Sequence, residues 1–275
     1  MATTEGHQGL TQVDGFPFPV YASDGAGDRA AAAATQAREA RDWLVGRLEG
    51  TGEFTLFVVG PNDWEQVAEV PIYGMPHSWI DKVVMGNEPA PFWAGVRDLL
   101  WPDLSEATRD RLRSTYGDPA DISPFADLVV VHEIVHLFHH VDATSGATDF
   151  PSLWLSELFA NLGTYGYLAE NEPGALPTLM TIAEASAEVD VARLPVHALT
   201  DMERAFEHEN GAEVYAWYQL RLITWAERIW NAGGPGVLRA FSDEMRSPEM
   251  PASEIEAALS RVHPAAAQIL GDWPA

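Results

Sequence analysis

The chain reads as an α+β protein, with a small mixed β-sheet and helices in an N-terminal lobe and a mainly helical C-terminal lobe. Three observations predict this. Continuous or alternating β-prone runs lie early, at residues 54–59, 71–75 and 82–85. From residue 91 onward, apolar residues recur at three- and four-residue spacing, the period of an amphipathic helix. The length, 275 residues, suits one two-lobed domain with a sizeable core.

Taken in order, residues 1–20 are expected to be disordered, residues 21–145 to form the N-terminal α/β lobe, and residues 146–275 the helical lobe of a single domain. Residues 28–48 are an Ala-rich helical run in which Trp43, Leu44 and Leu48 are apolar. Gly50-Thr51-Gly52 is a turn. Residues 54–59 form a buried strand that stops at Gly60-Pro61. Residues 71–75 and 82–85 are two further strands, with a turn around 76–78, and the edge strand of the sheet is expected between residues 71 and 85. Helices follow at 91–100, 105–116 and 124–140. Residues 142–151 are a polar connection, and helices then occupy 153–168, 177–189, 211–231, 237–245 and 253–262. Ser253 with Glu256 has the form of a capping box.

Composition narrows the chemistry. The chain carries 41 acidic residues against 16 Lys and Arg, a formal charge of −25, and Lys82 is its one lysine. Such a surface repels nucleic acid and anionic membranes, so neither is an expected partner. No apolar stretch approaches the length of a membrane span, and the first dozen residues lack a signal-peptide pattern; the cytoplasm is the expected compartment. With no cysteine in the chain, a metal site cannot use thiolates and no disulfide staples the fold.

The densest chemistry lies in the apolar run 128–138, which holds His132, Glu133 and His136 as His-Glu-x-x-His. On a helix, residues four apart share a face, so both histidines can offer a ring nitrogen to one metal ion. Glu133 projects beside that ion, where it can act as a base on water. A catalytic zinc takes three protein ligands and keeps a fourth position open. Glu157, 21 positions on (157 − 136), is a carboxylate on an otherwise apolar helical run and would need a cation or hydrogen-bond partner. Asn161 is four residues later on the same face and could hold a ligand histidine by its other nitrogen.

His-Glu-x-x-His followed by Glu-x-x-Ala-Asn at this distance resembles the gluzincin zinc metallopeptidases, the group of thermolysin and the aminopeptidase N-like enzymes. The resemblance implies a zincin-like fold, Zn²⁺ held by His132, His136 and Glu157, and Glu133 as general base in hydrolysis of a peptide or protein substrate. It also implies a tyrosine on a later helix that stabilises the oxyanion. Tyr218, 61 positions after Glu157 (218 − 157), best matches that spacing, with Tyr215 as the alternative. His208 and His197 are weaker candidates for the same role, which a histidine fills in thermolysin-type enzymes. Metzincin-like peptidases take their third ligand six residues after the second histidine; Asp142 stands there, but His139 replaces the glycine that would turn the chain. The aminopeptidase signature Gly-x-Met-Glu-Asn is absent, since Gly74-Met75-Pro76 shares only a fragment. His and carboxylate ligands also accept cobalt or manganese. The second functional reading is a zinc-binding protein of regulatory or non-catalytic role on the same fold; an intact Glu133 argues against it.

Overall fold

The computed structural model describes residue 7, residues 9–139 and residues 149–274. The fold is mixed α+β and mostly helical. The hydrophobic runs of the first 86 residues pair into a five-stranded sheet made of β1 (Thr11–Gln12), β2 (Val20–Ala22), β3 (Thr55–Val59), β4 (His77–Trp79) and β5 (Lys82–Gly86). The spatial order is β1-β2-β3-β5-β4. β2, β3 and β5 run parallel, while β1 and β4 are antiparallel to their neighbours, so β4 is an edge. The parallel strands β3 and β5 are buried along four of their five residues, as expected for strands covered on both faces.

Three features of this lobe differ from the sequence expectation. Residues 11–12 and 20–22 lie in strands, within or bordering the stretch expected to be disordered, because Phe18 and Val20 bury themselves and the Phe18 ring packs 4.1 Å from that of Phe54. Residues 71–75 are not a strand. Gly74 has φ of 77°, and a side chain there would collide with Ala90, so the segment turns and Met75 N–H donates to the Ile72 carbonyl. The strand starts instead at His77, inside the expected turn. A short helix, α2 (Pro61–Val67), follows β3; Pro61 opens it and Trp64 seals it onto the sheet.

The helices are α1 (Gly27–Val45), α3 (Pro91–Leu100), α4 (Glu106–Tyr116), α5 (Ser123–His136), α6 (Leu153–Asn171), α7 (Leu176–Ala185), α8 (Gly211–Gly233), α9 (Gly236–Met245), α10 (Ala252–Val262), α11 (Pro264–Ala267) and α12 (Ile269–Asp272), with a 3₁₀ segment at Leu199–Glu207 before α8. Ser105 caps α4 through its hydroxyl. Ser253 does not cap α10; the helix already starts at Ala252 after Pro251, and no side chain caps it. No helix among the described residues is long and apolar enough to cross a membrane.

One hydrophobic core draws residues from both halves, from Phe18 to Trp273. At its centre is α6, buried at every position from Trp154 to Leu168. A helix that is apolar all round must be covered all round, and α5, α8 and α9 pack against it. Glycines let these helices approach. A Cβ on Gly163 of α6 would lie 2.6 Å from a Val135 methyl of α5, and one on Gly166 would meet the Trp230 ring at 2.3 Å. We expect Gly163→Val to destabilise the protein by about 3 kcal/mol through overpacking, since the added methyls force α6 away from α5. Urea unfolding checks the effect.

Candidate metal centre

α5 begins where Asp121 accepts the Ser123 backbone and hydroxyl hydrogens at 3.0 and 2.6 Å, with Pro124 in the first turn. It then runs into the core, with His132 7 % and Glu133 6 % exposed. α6 crosses it and brings Glu157, 5 % exposed, over the two histidines. Glu157 Oε2 lies 3.0 Å from His132 Nε2 and 3.3 Å from His136 Nε2, and the two Nε2 atoms are 3.0 Å apart. Tetrahedral ligands at the bond lengths usual for zinc stand about 3.3 Å from one another. The observed triangle fits such an ion with a modest expansion, so the three residues form a group that can hold a metal.

The groups behind the triad are also in place. His132 Nδ1 is 3.2 Å from Asn161 Oδ1. His136 Nδ1 is 2.7 Å from His139 Nε2, and the Asp149 carboxylate lies 3.8 Å from the far nitrogen of His139. Gln219 of α8 donates to Glu157 Oε2 at 2.6 Å and to the Tyr215 hydroxyl at 3.0 Å, and accepts from Asn161 Nδ2 at 2.8 Å. Glu133 is not one of the three grouped ligands, and its carboxylate accepts a hydrogen bond from Ser78 Oγ of the edge strand at 2.9 Å.

Protonation follows from this geometry. Burial alone would lower the pKa of His136, but the adjacent Glu157 carboxylate outweighs it and raises the value above 6.5. Burial would likewise raise Glu157, yet His136 and His132 hold it well below the ordinary carboxylate value of 4.5. Burial and the Glu157 and Glu133 carboxylates push Tyr215 well above the phenol value of 10.0, so it stays a proton donor. The signs set a pH window for the metal-free protein. Stability from the raised His136 is complete below 6.5 and is lost as pH rises through its folded value; stability from the depressed Glu157 is present above 4.5 and is lost as pH falls through its folded value. Thermal unfolding of chelator-treated protein should therefore occur at lower temperature on both sides of that window. The zinc-loaded protein should lack the alkaline loss, because there the metal replaces the proton.

The triad opens onto a cavity of about 300 Å³ between β4, α3, α5 and α8, with the start of α6 and Phe206 also on its wall. From the metal triad it extends along the preceding turns of α5, past Leu128 and Phe125, to apolar walls that include Phe92 and Trp93 of α3 and Leu220 and Ile223 of α8. His77 lies in the same wall as a neutral, structural group. Burial lowers its pKa, Nδ1 lies 3.1 Å from the Met75 carbonyl, and Nε2 accepts the Glu69 amide hydrogen at 3.1 Å.

Of the residues singled out from sequence, His132, Glu133, His136, Glu157, Asn161 and Tyr215 meet at this cavity. Tyr218 does not. The cavity-facing positions of α8 are 215, 216, 219, 220 and 223, and at 100° per residue Tyr218 falls outside that arc. Its hydroxyl donates to the Ala198 carbonyl at 2.8 Å, and its ring stacks on Trp273. The tyrosine that faces the metal centre is Tyr215. His208 and His197 do not line the cavity; the His208 Nε2 and His197 Nδ1 atoms are buried elsewhere. Asp142 lies outside the described residues. Sequence reasoning missed Gln219, Ser78 and the role of His139. A polar side chain four residues after Tyr215, within the apolar run of α8, was the signal for Gln219; Ser78 carried none. No protein-family model matches this chain, and no curated protein or solved structure matches it either.

Proposed function

We propose that the protein is a zinc-dependent metallopeptidase of gluzincin-like, zincin-type architecture, which cleaves peptide bonds with Glu133 as general base. One observation carries the reading: two histidines from α5 and a glutamate from α6 face one point within bonding reach of a single ion, and a separate buried carboxylate stands beside that point without joining the triad. A site whose task was only to staple helices would gain nothing from that second carboxylate, and closed structural sites take a fourth protein ligand.

When bound, zinc supplies Lewis acidity, lowering the pKa of a coordinated water and polarising a carbonyl. The protein supplies the rest. Glu133 takes a proton from the attacking water and returns it to the leaving amine. Ser78 anchors the unused oxygen of Glu133, so the carboxylate pivots little. Tyr215 donates its hydroxyl hydrogen to the oxygen that becomes negative. β4, the last strand of the sheet, offers an extended chain a backbone edge beside the metal centre.

The test is direct. Zinc-loaded protein is incubated with a mixed peptide library, with and without a chelator. Cleavage that the chelator abolishes and added zinc restores is the expected result. A fully loaded protein that leaves every peptide intact would favour a non-catalytic zinc protein instead.

A further inference from the structure

The hydrogen bonds behind the metal centre form a chain that can run in only one direction. A carboxylate oxygen that faces a metal carries no hydrogen and can only accept. Gln219 must therefore turn its amide nitrogen, not its oxygen, toward Glu157 Oε2, 2.6 Å away. The second hydrogen of that nitrogen goes to the Tyr215 oxygen at 3.0 Å. With both hydrogens placed, Gln219 Oε1 faces Asn161 Nδ2 at 2.8 Å, and Asn161 in turn presents Oδ1 to His132 Nδ1 at 3.2 Å. That oxygen only accepts, so Nδ1 bears the imidazole hydrogen. With a metal bound, His132 Nε2 then needs no hydrogen and aims its lone pair at the centre of the triad; in the metal-free protein the same atom faces Glu157 Oε2 at 3.0 Å. Reversing Gln219 would set two acceptors 2.6 Å apart and leave buried groups unpaired, an arrangement that costs far more than it returns.

We propose that Gln219 is a positioning residue that passes the acceptor character of Glu157 through Asn161 to His132, and so holds His132 in the Nδ1–H tautomer that metal binding at Nε2 requires. The inference rests on the metal-binding reading of the triad. It makes the third ligand responsible for the readiness of the first, through a residue 62 positions further along the chain. It also explains why a polar glutamine sits in the otherwise apolar cavity face of α8. Gln219 itself touches neither metal nor substrate.

Two measurements on the full chain test it. In metal-free protein labelled with ¹⁵N-histidine, multiple-bond proton–nitrogen correlations report the tautomer of each ring, with His132 assigned by the signal lost in His132→Asn. The expected result in the parent is a His132 ring whose Nδ1 carries a hydrogen toward Asn161, whether or not Nε2 also carries one toward Glu157. In Gln219→Leu the Nδ1 hydrogen should be lost from part of the population, and zinc affinity should fall about 10- to 100-fold, the usual effect of removing a group that orients a ligand. A His132 ring with a bare Nδ1 in the parent overturns the proposal, and so does a Gln219→Leu protein that keeps both the Nδ1 hydrogen and the affinity. If Gln219→Leu does not fold, the parent tautomer alone decides. A parent that binds neither Zn²⁺ nor Co²⁺ overturns the metal reading, whereas the metal-free tautomer still decides the role of Gln219.

Discussion

Glu133→Gln should bind zinc as tightly as the parent and hydrolyse peptides about 10²- to 10⁴-fold more slowly, the span general-base removal typically covers. The substitution keeps the shape of the side chain, and its amide oxygen can still accept from Ser78, which lies 2.9 Å from Glu133 Oε2. What it loses is the capacity to take a proton. Because Glu133 stands outside the ligand triangle, metal content should not change. Zinc stoichiometry and the initial rate with an internally quenched peptide, measured on the same sample, separate the two effects. A variant that cleaves at the parent rate would falsify the assignment of Glu133 as base, whatever its zinc content.

The second large effect distinguishes two tyrosines three residues apart. Tyr215→Phe should lower kcat by about 10²- to 10³-fold with little change in KM, as expected when one donor to a developing oxyanion is removed. Tyr218→Phe should leave kcat unchanged and cost about 1 kcal/mol of stability, the net value of its hydrogen bond to the Ala198 carbonyl. Tyr215 is suited to the role because burial and the Glu157 carboxylate, to which its hydroxyl is hydrogen-bonded, keep its proton in place far above neutral pH, while Gln219 donates to its oxygen. Equal losses in both variants, or a loss confined to Tyr218→Phe, would remove Tyr215 from the mechanism.

How much of this was legible in the sequence depended on what each pattern measures. The helix around His132 and His136 could be read because two residues four apart must share a face, whatever packs on them. Glu157 could be placed because a carboxylate in an apolar run has few ways to be satisfied. The mixed α+β character followed from the early β-prone runs. The face of α8 was not legible. Spacing from Glu157 gave a number, 61, but a helix turns 100° with each residue, so an error of three positions rotates a side chain by about 60°, enough to take Tyr218 out of the cavity-facing arc. Gln219 was hidden for a related reason: its partners are Asn161 and Glu157, 58 and 62 residues away, and no local pattern encodes them. The edge strand lies within the expected stretch 71–85, but its place at 77–79 rather than 71–75 was not legible, because β4 is three residues long and contains His77 and Ser78, neither of them a strong strand former. β2 was hidden because its three residues are too few for a periodic signal.

On the proposed metal reading, the central position of α6 governs when the site can form. During synthesis α5 emerges first and offers only a pair of imidazoles four residues apart. The third donor arrives with α6, but α6 is buried on every side and cannot settle until α8 and α9 have been made and can cover it. The complete triad therefore forms only after α8 and α9 have been made. Before that point a metal would meet only two of the three donors.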